Sequence, residues 1–166
     1  MTISADQIPA QSQNQKPALE SQMNPAPEYD RDSYKGSDKL KGKVALITGG
    51  DSGIGRSVAV LYAKEGADVA IVYLNEHEDA QKTKQLVEAQ GQKCLIIAGD
   101  ISGEKFCHEA VEKTVAELGK LDILVNNAGI TVDGLLMRMK GEDFDRQMNT
   151  NLKGAFNCAK ACSPHM

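Results

Sequence analysis

Lys43 to Gly55 read KVALITGGDSGIG, an apolar, β-branched run that breaks into a glycine-rich turn and then starts a helix. Strand, glycine turn and helix start in that order make an anion site. The first N–H groups of a helix lack intrahelical partners and sit at the positive end of its dipole. Glycine, having no Cβ, lets a pyrophosphate come close to the backbone. The spacing is T-G-x-x-x-G-x-G on Thr48, Gly49, Gly53 and Gly55. A diphosphate site here requires Gly49, Gly53 and Gly55 to present bare amide hydrogens.

The other reactive side chains point to less. Cys158-x-x-x-Cys162 with His165 has part of the spacing of a zinc clasp, but it lies beside Pro164 at the end of the chain. Small buried thiols packing a helix face are the expectation for these two and for Cys94 and Cys107, and no metal site is expected.

These residues need elements to hold them. Val44 to Thr48 reads as a first strand. Ile54, Val58, Leu61 and Tyr62 recur at helical spacing up to Gly66. Val69 to Tyr73 is a second strand, and Asn75 with Glu78 is placed to cap a helix that ends at Gly91. Leu95 to Ala98 is a third strand, and Ser102 is placed to cap a helix ending at Gly119. Leu121 to Val125 is a fourth strand, running into NNAG at Asn126–Gly129. Short apolar strands alternating with helices predict an α/β protein with a doubly wound parallel sheet. Right-handed crossovers give the strand order 3-2-1-4. A last helix is expected to bury Phe144, Met148, Leu152, Ala155, Phe156 and Ala159, with Asn151 on the same stripe. A buried amide in mid-helix is costly unless it is hydrogen-bonded.

Residues 1–42 differ in kind. They are rich in Gln and Pro and poor in aliphatic side chains, so a flexible arm is expected, with Tyr29 and Tyr34 able to anchor its last part. The whole chain has 166 residues and a formal net charge of −4, with no basic stripe, which argues against nucleic acid. The longest apolar runs fall far short of a membrane span of ~20 residues. With no apolar leader at the N-terminus, a cytoplasmic protein is expected.

TGGDSGIG, Asp100-Ile101, NNAG and Asn151 in TNLKG, in this order and spacing, resemble the short-chain dehydrogenase/reductases over residues 40–166. The arm, with YKGSDKLKGKVALITGGDSGIGR and VAIVYLNEHEDA, is similar to the glucose/ribitol-dehydrogenase-like general stress proteins. NNAGITVDGLLMRMKGEDFDRQMNTNLKGAFN is similar to the 3-oxoacyl-[acyl-carrier-protein] reductases. The resemblance implies a Rossmann-type NAD(P)-binding fold and hydride transfer between nicotinamide and a carbonyl or alcohol carbon. It implies that Gly49, Gly53 and Gly55 hold the pyrophosphate, with Ile54 closing the floor. Arg56 either helps neutralise phosphate or lies solvated on the first helical turn.

Tyr73, 18 residues beyond Gly55, takes the position that chooses between NAD and NADP, where a carboxylate would repel a 2′-phosphate. No acid stands at Tyr73, Leu74 or Asn75, and Ser52 occupies a site that is basic in many NADP users, so NADP is preferred over NAD. Asp100 is expected to accept from the adenine amino group, with the Ile101 backbone beside it, or else to serve the next helix start. Asn126, Ala128 and Gly129 line the adenosine and ribose, while Asn127 ties neighbouring strands. Asn151 loosens its helix and holds a proton-relay water, or it is a packing amide with a structural partner. Thr131 to Lys140 form the loop before the last helix, apolar as a substrate lid would be, and by the resemblance Arg138 either faces an acidic carrier protein or is an exposed arginine that needs no partner.

The implied partners are a small carbonyl or alcohol substrate or an acyl-carrier-protein thioester, and further copies of the chain in a homo-oligomer. Family chemistry also needs a Tyr-x-x-x-Lys pair and a Ser, because an unperturbed phenol is a poor base near neutral pH. Four residues after Tyr29, Tyr34, Tyr62 and Tyr73 stand Ser33, Asp38, Gly66 and His77. Of the catalytic set only Asn151 is present. The chain is therefore expected to be the cofactor-binding half of an oxidoreductase, truncated, with strand four as an exposed edge, prone to aggregate and catalytically silent alone. The alternatives are a non-catalytic dinucleotide-binding module assembling with a full-length relative, or a half completed by another polypeptide.

Overall fold

A computed structural model describes residues 22–25, 27–31 and 33–166. The Gln- and Pro-rich stretch up to residue 21 lies outside the described residues.

Five β-branched or aliphatic residues in a row, all buried, make β1 (Val44–Thr48) the central strand. β2 (Asp68–Tyr73) and β4 (Ile123–Val125) flank it, and β3 (Cys94–Ala98) lies outside β2. All pairings are parallel in the order β3-β2-β1-β4, as the alternation of strands and helices predicts. Side chains alternate across the sheet. Ala45, Ile47, Val69 and Ile71 face α1 (Gly53–Lys64) and α2 (His77–Glu88), meeting Ala59, Ala63, Ala80 and Val87. Leu46, Ala70, Val72 and Ile97 face α3 (Glu104–Leu118) and α5 (Ala155–Cys162), meeting Ala110, Val111 and the buried thiols of Cys107, Cys158 and Cys162. α4 (Gly141–Met148) runs into α5 through a π-helical segment, Asn149–Gly154.

Two cap assignments differ from expectation. α2 begins at His77 with Glu76 at its N-cap, so Asn75 lies one position too early to cap it. α3 begins after Gly103, and Ser102 donates its N–H to Asp100 Oδ1 at 2.8 Å instead of capping the helix. β4 is shorter than expected; just before it, Asp122 donates its N–H to Val44 O at 2.9 Å and accepts the Val44 N–H on Oδ2 at 2.9 Å.

The expected anchoring by Tyr29 and Tyr34 is present. The Tyr29 ring lies 5.3 Å from the Arg56 guanidinium carbon and 5.4 Å from Lys82 Nζ. Asp30 pairs with Lys64 at 2.6 Å. Glu65, 5% exposed at the end of α1, collects the Tyr34 hydroxyl and the N–H groups of Ser37 (2.9 Å) and Lys39 (3.0 Å). The Tyr34 hydrogen bond first, then these two N–H groups, hold the Glu65 carboxyl down at about 2 from an ordinary 4.5. A depressed carboxyl stabilises the folded chain above its unfolded value, and that contribution fades as pH falls through the folded value. Urea unfolding of the wild type should therefore lose ground to Glu65→Gln between about pH 4.5 and about pH 2, and the two should run parallel at higher pH. Parallel curves throughout the acid range would refute the assignment.

Candidate functional site

The site lies where the chain leaves the carboxyl ends of β1 and β4, the point at which strand order reverses and ligands bind in such sheets. Thr48 ends β1 fully buried, its hydroxyl accepting the N–H groups of Asn127 and Ala128 at 3.0 Å each. Asn127 Nδ2 returns two hydrogen bonds of 3.0 Å, to the carbonyls of Thr48 and Gly49. Asn127 thus ties β4 to β1, as its sequence context suggests.

The three glycines do three different things. Gly49 has φ 64°, and a Cβ there would lie 3.0 Å from Ala128 Cα. Its N–H is donated to Val72 O at 2.7 Å, so it is not the bare amide the sequence led us to expect. It joins the turn to β2 and makes room for the NNAG loop. Gly55 lets the first turn of α1 press on the glycine loop, since a Cβ would fall 1.9 Å from Gly49 O and 2.7 Å from Asn127 Nδ2. Gly53 has φ 51° and nothing within 4 Å of where a Cβ would stand, so it lies on the open side. A cradle packed tightly from behind and open in front fits a diphosphate. Ile54 is 76% exposed and stands out beside that opening; it is not a floor. Ser52 is the N-cap residue of α1, with its hydroxyl 3.2 Å from Asp51 Oδ2.

Arg56 is neither a phosphate contact nor solvated. It is fully buried, with Nε on Asp51 O (3.0 Å) and Thr83 Oγ1 (2.9 Å) and Nη2 on Asp51 O (2.6 Å) and Asp79 Oδ1 (3.2 Å). Burial lowers its basicity, against the raising effect of Asp79. Tyr73 also turns inward. It is 6% exposed, with its hydroxyl 2.9 Å from His77 Nδ1, and burial raises its pKa. Leu74, 54% exposed, takes the open place at the end of β2.

Asp100 is exposed beyond β3, and its Oδ1 serves the turn into α3 through Ser102 N–H. Ile101 is buried, its carbonyl accepting Cys107 Sγ (3.2 Å) and Asn157 Nδ2 (3.1 Å). Asn157 Nδ2 also reaches Ser102 O at 3.1 Å, so this buried amide holds the Asp100 loop to α5. Sequence reading missed Asn157; its one signal is an amide directly before the buried Cys158, on the small-residue face. Asn126 is exposed, with Nδ2 3.4 Å from Ala155 O, and Ala128 and Gly129 continue the loop. Asn151 sits in the π segment and takes both main-chain groups of Ile130, accepting its N–H at 2.8 Å and donating to its carbonyl at 2.9 Å.

Asn151 is exposed, not buried on an apolar stripe. Phe144, Met148, Leu152 and Phe156 are also exposed, and Gly154, Cys158 and Cys162 are buried instead. The reason is close approach: a Cβ on Gly154 would lie 2.7 Å from Ile101 Cδ1, and Cys158 Sγ lies 3.6 Å from Cys107 Sγ. Small residues bring α5 onto α3, and the bulky apolar ones are left outside.

A four-stranded parallel sheet in this order, with a T-G-x-x-x-G-x-G turn at its reversal point, defines a Rossmann-type α/β fold. The chain belongs to the short chain dehydrogenase family, whose profile matches residues 43–166. General stress protein 39 of Bacillus subtilis (strain 168) is 70% identical over 123 residues, 74% of this chain and 43% of that protein. The 3-oxoacyl-[acyl-carrier-protein] reductase FabG of Staphylococcus epidermidis (strain ATCC 35984) is 41% identical over 124 residues, 75% of this chain and 51% of that protein. A short chain dehydrogenase from Burkholderia cenocepacia J2315, solved in complex with NADP, superposes with TM-score 0.75 at 38% identity, over 77% of this chain and 52% of that one. Carveol dehydrogenase from Mycobacterium avium, solved in complex with NAD, gives 0.73 at 33%, over 76% and 50%. The chain spans about half the length of the curated relatives it matches.

Proposed function

We propose that these residues bind NADP or NAD, with NADP preferred, as the cofactor-binding part of an oxidoreductase acting on a carbonyl or alcohol carbon. The carrying observation is the cradle: Gly55 pressed on Gly49 O from behind, Gly53 open in front, Asn127 bracing both strands. The dinucleotide would supply or take up the hydride. The N–H groups of Ser52 and Ile54 face its pyrophosphate, Gly53 leaves room for its close approach, and Thr48 and Gly49 hold the turn that presents them. Asp100 takes the adenine amino group with Oδ2, Oδ1 being engaged, and Ile101 packs beneath that loop. Asn126, Ala128 and Gly129 lie along the ribose, and Asn151 positions that loop by gripping Ile130. Tyr73 sets the shape of the ribose corner from within the core.

NADP is favoured because no acid stands at Tyr73, Leu74 or Asn75, and Asp51, the carboxylate felt at Tyr73, is only 8% exposed. The likeness of Asn126 to Asn157 to the 3-oxoacyl-[acyl-carrier-protein] reductases favours a 3-oxoacyl thioester as substrate. The likeness of Tyr34 to Arg56 to the glucose/ribitol-dehydrogenase-like proteins keeps a sugar or polyol as the second reading. Titration of NADPH and NADH fluorescence should show saturable one-to-one binding, tighter for NADPH. No tyrosine here is followed four residues later by lysine, so a polypeptide of these residues should bind without reducing a 3-oxoacyl thioester. Absence of saturable binding by either nucleotide would overturn the proposal.

A further inference from the structure

The buried guanidinium of Arg56 reaches a main-chain carbonyl of the glycine turn, that of Asp51, with two of its nitrogens. Asp51 O accepts three hydrogen bonds, from Arg56 Nε (3.0 Å), Arg56 Nη2 (2.6 Å) and Thr83 Oγ1 (2.8 Å). Thr83, fully buried on α2, also accepts from Arg56 Nε at 2.9 Å, and Asp79 accepts from the same Nη2 with its carbonyl (3.1 Å) and carboxylate (3.2 Å). Tyr29 lies over the guanidinium from outside. A cation removed from water at the foot of a helix is expensive unless its hydrogen bonds are made. Here two of those bonds meet on one atom of the loop, Asp51 O.

A trans peptide is planar, with its C=O and N–H on opposite sides. Fixing the Asp51 carbonyl inward therefore turns the next N–H, that of Ser52, away from α2. Ser52 is the N-cap of α1 and has extended backbone, φ −150° and ψ 174°, directly before the open Gly53. Gly49 and Gly50 point their N–H groups the other way, at Val72 O (2.7 and 3.4 Å). The loop is thus split, with its first two amides held to β2 and the amide after Asp51 turned outward.

We propose that Arg56 and Thr83 are positioning residues for dinucleotide binding: by holding the Asp51 carbonyl inward they aim the Ser52 N–H at the pyrophosphate. This rests on the dinucleotide reading of the turn. It assigns Arg56 the opposite of a direct phosphate contact, since the guanidinium works from behind the loop. It also makes α2, which meets the turn through Thr83, part of the binding machinery.

The test is calorimetric titration with ADP-ribose, which carries the adenosine and pyrophosphate without the nicotinamide, alongside amide NMR. Thr83→Val keeps the shape and removes the hydroxyl. It should stay folded, weaken ADP-ribose on the order of tenfold, the scale of one lost buried hydrogen bond, and shift the free-state Ser52 amide signal. Thr83→Ser should restore both. Arg56→Lys, which keeps the charge but not the fork, should change both in the same direction and serves if Thr83→Val does not fold. A folded variant that binds within twofold of wild type overturns the proposal. So does weakened binding with an unmoved Ser52 amide, the mark of general loosening. If the wild type itself fails to bind ADP-ribose, the dinucleotide reading falls and this proposal falls with it.

Discussion

Gly55→Ala should abolish dinucleotide binding and destabilise the chain by roughly 3 kcal/mol, the upper range for inserting a methyl into a filled space. The added carbon would meet the Gly49 carbonyl at 1.9 Å and the Asn127 amide at 2.7 Å. The first obstacle is backbone, which no rotamer change can move aside. α1 would have to withdraw from the turn, opening the cradle and breaking the Asn127 brace together. Gly53→Ala is the informative contrast. Its added carbon meets nothing within 4 Å, so only the left-handed φ of 51° opposes it, at about 1 kcal/mol. Urea unfolding and NADPH titration of both variants separate the two effects. Gly55→Ala should lose stability and binding, whereas Gly53→Ala should lose mainly binding, because its methyl occupies ligand space. Wild-type stability in Gly55→Ala would contradict the packing described.

Asn127→Asp should be nearly as severe at neutral pH. The amide nitrogen donates to the Thr48 and Gly49 carbonyls, each at 3.0 Å. A carboxylate oxygen in its place turns two attractions into two repulsions and leaves both carbonyls without that donor, at about 3 kcal/mol. Because only the protonated acid can donate, the variant should regain part of its thermal stability as pH falls below neutrality, while Asn127→Ala, lacking any donor, should not. A pH-independent deficit in Asn127→Asp would mean that the side-chain nitrogen is not what holds the two strands.

The strands and their order were legible because β-branched runs punctuated by glycine admit few topologies. The glycine spacing pointed to the turn at the carboxyl end of β1, but not to the division of labour within it. Whether the Gly49 amide is bare depends on Val72, which lies on another strand, and no local pattern reports it. Arg56 was misread for the same reason. A charged residue one position beyond a phosphate-type turn suggests a phosphate contact, and the partner that draws it inward, Thr83, is 27 residues away in the chain. Tyr73 was placed at the right corner, but its orientation was set by His77. The last helix is the clearest failure. It is apolar on two faces, and the sheet accepted the face of small residues because α3 lies too close for the large ones. Amphipathicity identifies a face for burial only when there is a single candidate.

The π-helical segment Asn149–Gly154 holds one residue more than a regular winding of the same rise would. The tether from Asn151 to Ile130 therefore depends on how many residues the segment contains as well as on the Asn151 amide. Were a single residue deleted, the helix would close into ordinary winding and rotate everything from Gly141 to Met148 by about 100°. Asn151 would swing off its loop although no atom of the loop had changed. For this chain, a one-codon gap in that segment is a more radical alteration than most substitutions within it.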